Sequence, residues 1–161
     1  MDLNFLNRRR LIVDIYTLLP SKLLFAEPKD HTFNRLRDVA QELEGLGLAG
    51  LCAGDHIVHY GWELPDHQAL ADHHPDIFTC LTATAAVTSN VKVVSRIVVL
   101  PYRQPFAVAH AIASLDVFSG ERVIFGTAPG YAPVESETFG IPYVGEAHGR
   151  TSTSSSLPNC G

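Results

Sequence analysis

The chain has 161 residues, 46% of them hydrophobic and 18% charged, with a formal net charge of -5. This length and composition suit one folded domain with its own core and exclude a disordered chain. The acidic balance gives no footing for nucleic acid, which is met by a basic stripe; Arg8, Arg9 and Arg10 form the one basic cluster and read as the solvated entry to a strand.

Residues 11–18 (LIVDIYTL) predict a buried strand. The run is short and broken by Asp14, so it is read neither as a targeting segment nor as a membrane span. From Thr32 onward, Phe33, Leu36, Val39, Ala40, Leu43 and Leu46 fall at helical spacing, with Asp30 or Thr32 as the cap and Gly45 or Gly47 as the stop. Residues 48–53 (LAGLCA) predict a second strand, and a polar stretch with five histidines and Trp62 fills residues 54–75. A helix over 77–89 follows Pro75 and Asp76, and residues 91–100 (VKVVSRIVVL) make the clearest strand. Pro105 opens the next helix, which runs to Gly120. Residues 122–127 predict a fourth strand, and 133–139 a short helix ending at Gly140.

Strand-helix alternation of this kind implies parallel βαβ topology in an α/β fold. An open doubly wound sheet and a TIM barrel both fit. The first requires GxGxxG directly after the first strand, where this chain has LPSKLLFAEP. The second needs eight units and roughly 250 residues, so four units leave edge strands open. Cys52, Cys80 and Cys160 are widely spaced and odd in number, which suggests no disulfide framework or zinc ribbon and a reducing cytoplasm. His59, His67, His73 and His74 lack HExxH spacing and are read as solvated loop residues, so no metal site is expected.

Three landmarks in order carry a family resemblance. The first is Gly54-Asp55-His56. The second is Leu100-Pro101-Tyr102-Arg103-Gln104-Pro105 followed by a helix closing in Ala113-Ser114-Leu115-Asp116-Val117-Phe118-Ser119-Gly120-Glu121-Arg122. The third is Gly126-Thr127-Ala128-Pro129-Gly130-Tyr131, then Glu135 and Phe139-Gly140-Ile141-Pro142. In this order the chain resembles the N-terminal half of the luciferase-like monooxygenases, most of all the branch using the deazaflavin coenzyme F-420. The resemblance implies parallel (β/α) units of a TIM barrel, about four of eight, over residues 1–150. Residues 151–161 (TSTSSSLPNCG) fit neither helix nor strand and are read as an aberrant or disordered tail. One back-translation of 153–161, read one base earlier, gives Asp-Glu-Phe-Ile-Ala-Ala-Glu-Leu-Arg, so a frameshift is the expectation there.

The site of such a barrel lies at the C-terminal ends of its strands. By resemblance His56, with Asp55 beside it, lines the pocket at the reactive edge of the cofactor, where imidazole suits proton transfer. Ser95, Arg96 and Ile97 would back the ring, with a non-proline cis peptide at Arg96-Ile97; Arg96 stands where the family carries a small residue. Gly126, Thr127, Ala128 and Gly130 would bring backbone N–H groups to the cofactor, less the donor that Pro129 lacks. Tyr131 replaces an acid found in the family's sugar-phosphate dehydrogenases, which argues against that substrate. Tyr60 and Trp62 would close over the ring, and Asp116 and Arg122 would pair structurally. The implied activity is hydride or electron transfer between F-420, or FMN as the alternative, and a small organic substrate. The rival expectation is a non-catalytic half-barrel that self-associates through its open edges into a homo-oligomer.

Overall fold

A computed structural model describes residues 13–20, 24, 31–57 and 75–142. Within them four strands, β1 (Tyr16–Leu18), β2 (Gly50–Ala53), β3 (Lys92–Val99) and β4 (Val123–Ala128), form one sheet in the order β1-β2-β3-β4. Every neighbouring pair is parallel. The helices α1 (Thr32–Gly45), α2 (Ile77–Val87), α3 (Pro105–Ser119) and α4 (Pro133–Thr138) follow the strands in turn. A doubly wound sheet reverses its strand order at a switch point. This order runs straight on, as an arc of a (β/α)8 barrel does, and so decides between the two architectures.

Side-chain alternation splits the sheet into two faces. In one row of register partners, Thr17, Leu51, Val93 and Val123 stand side by side, and Leu51 and Val93 lie fully buried. They pack with Leu36 and Ala40 of α1, Ile77 and Leu81 of α2, and Val108 and Leu115 of α3. The next row, Leu18, Cys52, Val94 and Ile124, therefore lies on the face away from the helices. Each fully buried aliphatic side chain is worth about 1.5–3 kcal/mol, so the helix-side layer dominates the stability of the sheet.

The helix ends correct and confirm the sequence reading in detail. Asp76 caps α2, its carboxylate accepting from Thr79 N–H at 3.0 Å. At α3, Gln104 caps and Pro105 takes the first turn. Thr32 does not cap α1: it is the first helical residue, His31 stands at the cap position and makes no side-chain capping bond to the helix, and Thr32 Oγ1 instead accepts from Arg35 at 3.3 Å. Helix α1 ends at Gly45, so Leu46 falls beyond it and is exposed, as is Phe33 in the first turn.

The expected Asp116–Arg122 pair does not form. Asp116 accepts from Val123 N–H at 3.2 Å, while the buried Arg122 guanidinium donates to the carbonyls of Ala85, Thr88, Val91 and Ser119 and to Thr88 Oγ1. A planar five-donor fork matches the loose carbonyls at a helix end better than a single carboxylate does. Glu44 plays the matching role for N–H groups, accepting from Ser89, Asn90 and Val91 ahead of β3.

Candidate functional site

The C-terminal ends of β2, β3 and β4 gather the residues singled out in the sequence. Strand β2 runs out at Ala53, and Asp55 is buried beyond it. Its carboxylate is fully engaged. Arg103 Nη2 donates to Oδ1 at 2.6 Å and Arg103 Nε to Oδ2 at 3.3 Å, while Val99 N–H donates to Oδ2 at 3.0 Å. Arg103 also reaches Asp76 at 3.1 Å and lies over the Phe78 ring, 5.0 Å from its centroid. Asp55 thus clamps the end of β2 to the end of β3 and sets the direction in which the next residue leaves.

That residue is His56, whose side chain is 26% exposed. Its Nδ1 lies 3.3 Å from Oε1 of Glu135, and its Nε2 lies 3.2 Å from the hydroxyl of Tyr131. The His56 and Tyr131 rings meet edge to face, with centroids 5.7 Å apart. Glu135 comes from the first turn of α4 and is buried, and the same Oε1 accepts from Ile57 N–H at 3.2 Å. Burial is the larger cause that raises the Tyr131 hydroxyl above the usual phenol value, with the Glu135 charge adding to it. Glu135 was visible in the sequence only as a landmark four residues after Tyr131. That spacing brings a loop residue and a first-turn helix residue to one side of the chain.

Between β2 and β4, the peptide Arg96-Ile97 is cis, as expected. Here the ladder slips: Ser95 pairs Phe125 and Val98 pairs Thr127, so β3 carries one extra residue. Polar side chains knit the interrupted ladder. Ser95 Oγ accepts from Gly126 N–H at 2.8 Å and donates to Gly126 C=O at 2.9 Å, and Thr127 Oγ1 donates to Val98 C=O at 3.0 Å. Gly126 is required by this closeness, since a Cβ there would lie 2.5 Å from Ser95 C=O. The Ser95 and Thr127 hydroxyls and Gly126 N–H are therefore engaged in strand-to-strand contacts.

Arg96 is exposed and lies on the bulge. Ser95 shares a row with Ala53 on the helix side, so Arg96, one step on, turns to the opposite face. Its charge reaches Cys52 on that face, where burial pushes the thiol up and Arg96 partly offsets the rise. It makes no hydrogen bond or ion pair among the described residues. Ala128 ends β4 and Gly130, at φ +90°, turns the chain toward α4. A Cβ at Gly130 would lie 2.8 Å from Val99 Cγ1 and 3.1 Å from Tyr102 Oη. Tyr102 in turn stacks on Phe139 and shares a hydrogen bond of 3.2 Å with Ser136. The loop residues His59, Tyr60, Trp62, His67, His73 and His74 lie outside the described residues.

Comparison with known proteins agrees with this arrangement. A family model described as luciferase-like monooxygenase matches residues 16–152. The chain is 33% identical over 104 residues to limonene 1,2-monooxygenase of Rhodococcus erythropolis, a match covering 65% of this chain and 24% of that protein. Among solved structures, the FMN complex of the oxygenating constituent of 3,6-diketocamphane monooxygenase from Pseudomonas putida superposes with a TM-score of 0.67 at 18% identity, covering 88% of this chain and 36% of that one. The coenzyme F-420-dependent tetrahydromethanopterin reductase of Methanopyrus kandleri gives a TM-score of 0.52 at 25% identity, covering 81% and 30%. The chain thus spans about a quarter to a third of the length of these relatives.

Proposed function

Because the chain belongs to the luciferase-like monooxygenase family, we propose that its strand-end rim is the cofactor side of a flavin-type oxidoreductase acting on a small organic molecule. The observation that carries this reading is convergence. His56 after β2, the Arg96-Ile97 bulge in β3 and the loop after β4 meet at one rim, where Tyr131 and Glu135 bond directly to His56.

The ring would lie against the bulge of Ser95, Arg96 and Ile97, beside Gly126, Thr127, Ala128, Gly130 and Tyr131. An exposed cation at Arg96, beside the ring, fits a cofactor whose reduced ring carries negative charge. Such a cofactor supplies hydride or electron transfer. The chain's residues orient it, exclude water and handle protons: His56 meets the ligand's reactive edge, and Asp55 positions His56 through Arg103 and Val99 N–H. F-420 is the first choice and FMN the alternative. Both appear in the descriptions of proteins with this fold.

Titration of the 161-residue chain with F-420 and with FMN, followed by fluorescence quenching, tests the reading. Saturable micromolar binding that weakens at least tenfold in Arg96→Glu is expected. A chain that binds neither ring, or binds both equally well after that change, refutes it.

Exposed apolar side chains on both edge strands, Tyr16 and Leu18 on β1 and Ile124 and Phe125 on β4, favour a second reading, a homo-oligomer closing its sheet edges. Light scattering gives a dimer or larger species in that case and a monomer otherwise. Residues 1–150 are proposed as the first four (β/α) units and 151–161 as a tail outside them. The DNA sequence across that junction, read in all frames, tests the frameshift. A cytoplasmic location accords with Cys52 and Cys80 as free buried thiols. No helix among the described residues is long and apolar enough to cross a membrane.

A further inference from the structure

We propose that Arg96 makes this rim selective for oxidation state, so that the chain holds the reduced, anionic ring of a flavin-type cofactor more tightly than the oxidised ring. The inference rests on the flavin-type reading above and specifies which state of that cofactor the site keeps. Its basis is a charge count and a bare stretch of backbone. Among the described residues, the acids of the rim each face a cation or a titratable base. Asp55 and Asp76 share Arg103, and Glu135 faces His56. Arg96 is exposed and makes no hydrogen bond or ion pair among those residues. It is the cation left over at the rim, in a chain whose formal net charge is -5.

The backbone on either side of Arg96 leaves its face open. Ser95 pairs with Ala53 on β2 and with Phe125 on β4. The residues one step on, which flank Arg96, are therefore Gly54 and Gly126, and neither puts a side chain on the face away from the helices. A Cβ at Gly54 would lie 3.7 Å from the Arg96 carbonyl, so the two strands run close there. Bare peptide on both sides of a bulge lets a flat ring approach without a Cβ in its way. Cys52 lies on the same face, and the Arg96 charge acts on its thiol against the effect of burial. The guanidinium therefore acts on the face that the two glycines leave bare.

The oxidised ring of FMN is neutral. Two electrons and one proton, taken at N5, leave it with one negative charge spread over N1 and the C2 carbonyl. Arg96 gains a charge–charge attraction in that state alone. A unit charge close to the ring at a half-solvated rim is worth about tenfold in affinity. Binding and reduction are linked, so each tenfold preference for the reduced form raises the potential of the bound two-electron couple by about 30 mV.

The test uses the 161-residue chain with FMN as the probe. Fluorescence quenching gives Kd for oxidised FMN. Anaerobic titration with dithionite as the reductant, against a reference dye, gives the potential of the bound couple and hence Kd for the reduced form. Wild type is expected to bind reduced FMN about tenfold more tightly than oxidised FMN, with a potential about 30 mV above that of the free couple. Arg96→Ala should lose that preference while keeping Kd for oxidised FMN within about threefold, and Arg96→Lys should restore most of it. Equal affinity of wild type for the two states, or a preference that survives Arg96→Ala, overturns the proposal and leaves the flavin reading standing. An Arg96→Ala chain that binds neither state would make Arg96 a general anchor, which overturns the selectivity as well. A wild-type chain that binds FMN in neither state sinks the flavin reading and this inference together.

Discussion

Asp55 offers the sharpest test of how this rim is held. Three donors end on its carboxylate, two from Arg103 and one from Val99 N–H, and the side chain is only 2% exposed. In Asp55→Ala, Val99 N–H loses its acceptor in a buried place, which costs about 1–3 kcal/mol. Arg103 also loses its two-pronged partner. Breaking a buried ion pair costs about 3–5 kcal/mol, but Arg103 is 18% exposed and keeps Asp76 at 3.1 Å, so part of its charge is compensated. A loss of about 3 kcal/mol is therefore expected.

Asp55→Asn keeps one acceptor oxygen but loses the charge and sets its amide NH2 against the Arg103 or Val99 donors that faced the other, so it should cost about 1–3 kcal/mol. Urea denaturation followed by far-ultraviolet circular dichroism measures both. Combining Asp55→Ala with Arg103→Leu closes a cycle in which the double change costs less than the sum, because neither partner is left alone. An Asp55→Ala chain within about 0.5 kcal/mol of wild type, the range of ordinary surface changes, would show that the clamp contributes nothing. A carboxylate that took part in chemistry instead of positioning would give the opposite pattern, with Asp55→Asn fully stable and catalytically dead.

Gly126→Ala should destabilise the sheet by about 1–3 kcal/mol, since the new methyl meets the Ser95 carbonyl and cannot be absorbed by a flexible neighbour; an unchanged urea midpoint would contradict the strand-to-strand contact. Arg122→Met should cost about 3 kcal/mol by stripping donors from the Ala85, Thr88, Val91 and Ser119 carbonyls; a variant as stable as wild type would mean water replaces the guanidinium there. At Glu44 burial works against ionisation, yet the N–H groups of Asn90, Val91 and Ser89 and the Arg122 charge outweigh it and hold the carboxyl below its ordinary value. Its stabilisation is therefore complete above the unfolded value and lost as pH falls through the folded one, so the gap between wild type and Glu44→Gln should close from about pH 5 downward, and a gap that widens refutes the sign. Burial, reinforced by the Asp76 charge, pushes the Cys80 thiol up to about 11, so Cys80 should escape alkylation by iodoacetamide at about pH 8, as read by peptide mass spectrometry.

The elements were legible because their signals are local. Asp76 before an apolar run, Pro105 at a first turn and Gly120 at φ +71° mark helix ends by backbone chemistry that acts over a few residues. Strand order was legible through the family resemblance and not through local signals. Alternation of strands and helices fits two parallel architectures, and only pairing across long stretches separates them. The site divides along the same line. That residues near 55, 96 and 131 share a rim follows from their all lying at strand ends. That Ser95 and Thr127 spend their hydroxyls on β4 and β3 follows from the one-residue slip at the bulge, which no spacing in the sequence reveals. The Asp116–Arg122 reading failed for a related reason, because charge invites pairing with charge while the true partners were uncapped carbonyls on another helix.

The polar residues at the two ends of the sheet do different work. At the N-terminal ends, Glu44, Asp116, Ser119 and Arg122 bond mostly to backbone, satisfying loop N–H groups and helix-end carbonyls. Such residues lower the free energy of the fold and leave little for a ligand to address. At the C-terminal ends, side chains meet side chains: Asp55 with Arg103, His56 with Glu135 and with Tyr131, Tyr102 with Ser136. A pair of side chains holding one another in place keeps a titratable group at a set distance and orientation, which catalysis needs and backbone satisfaction does not. Backbone satisfaction at the N-terminal ends and paired acid–base side chains at the C-terminal ends accord with the division of labour of a (β/α)8 barrel. Here it is drawn in four strands, before any ligand is considered.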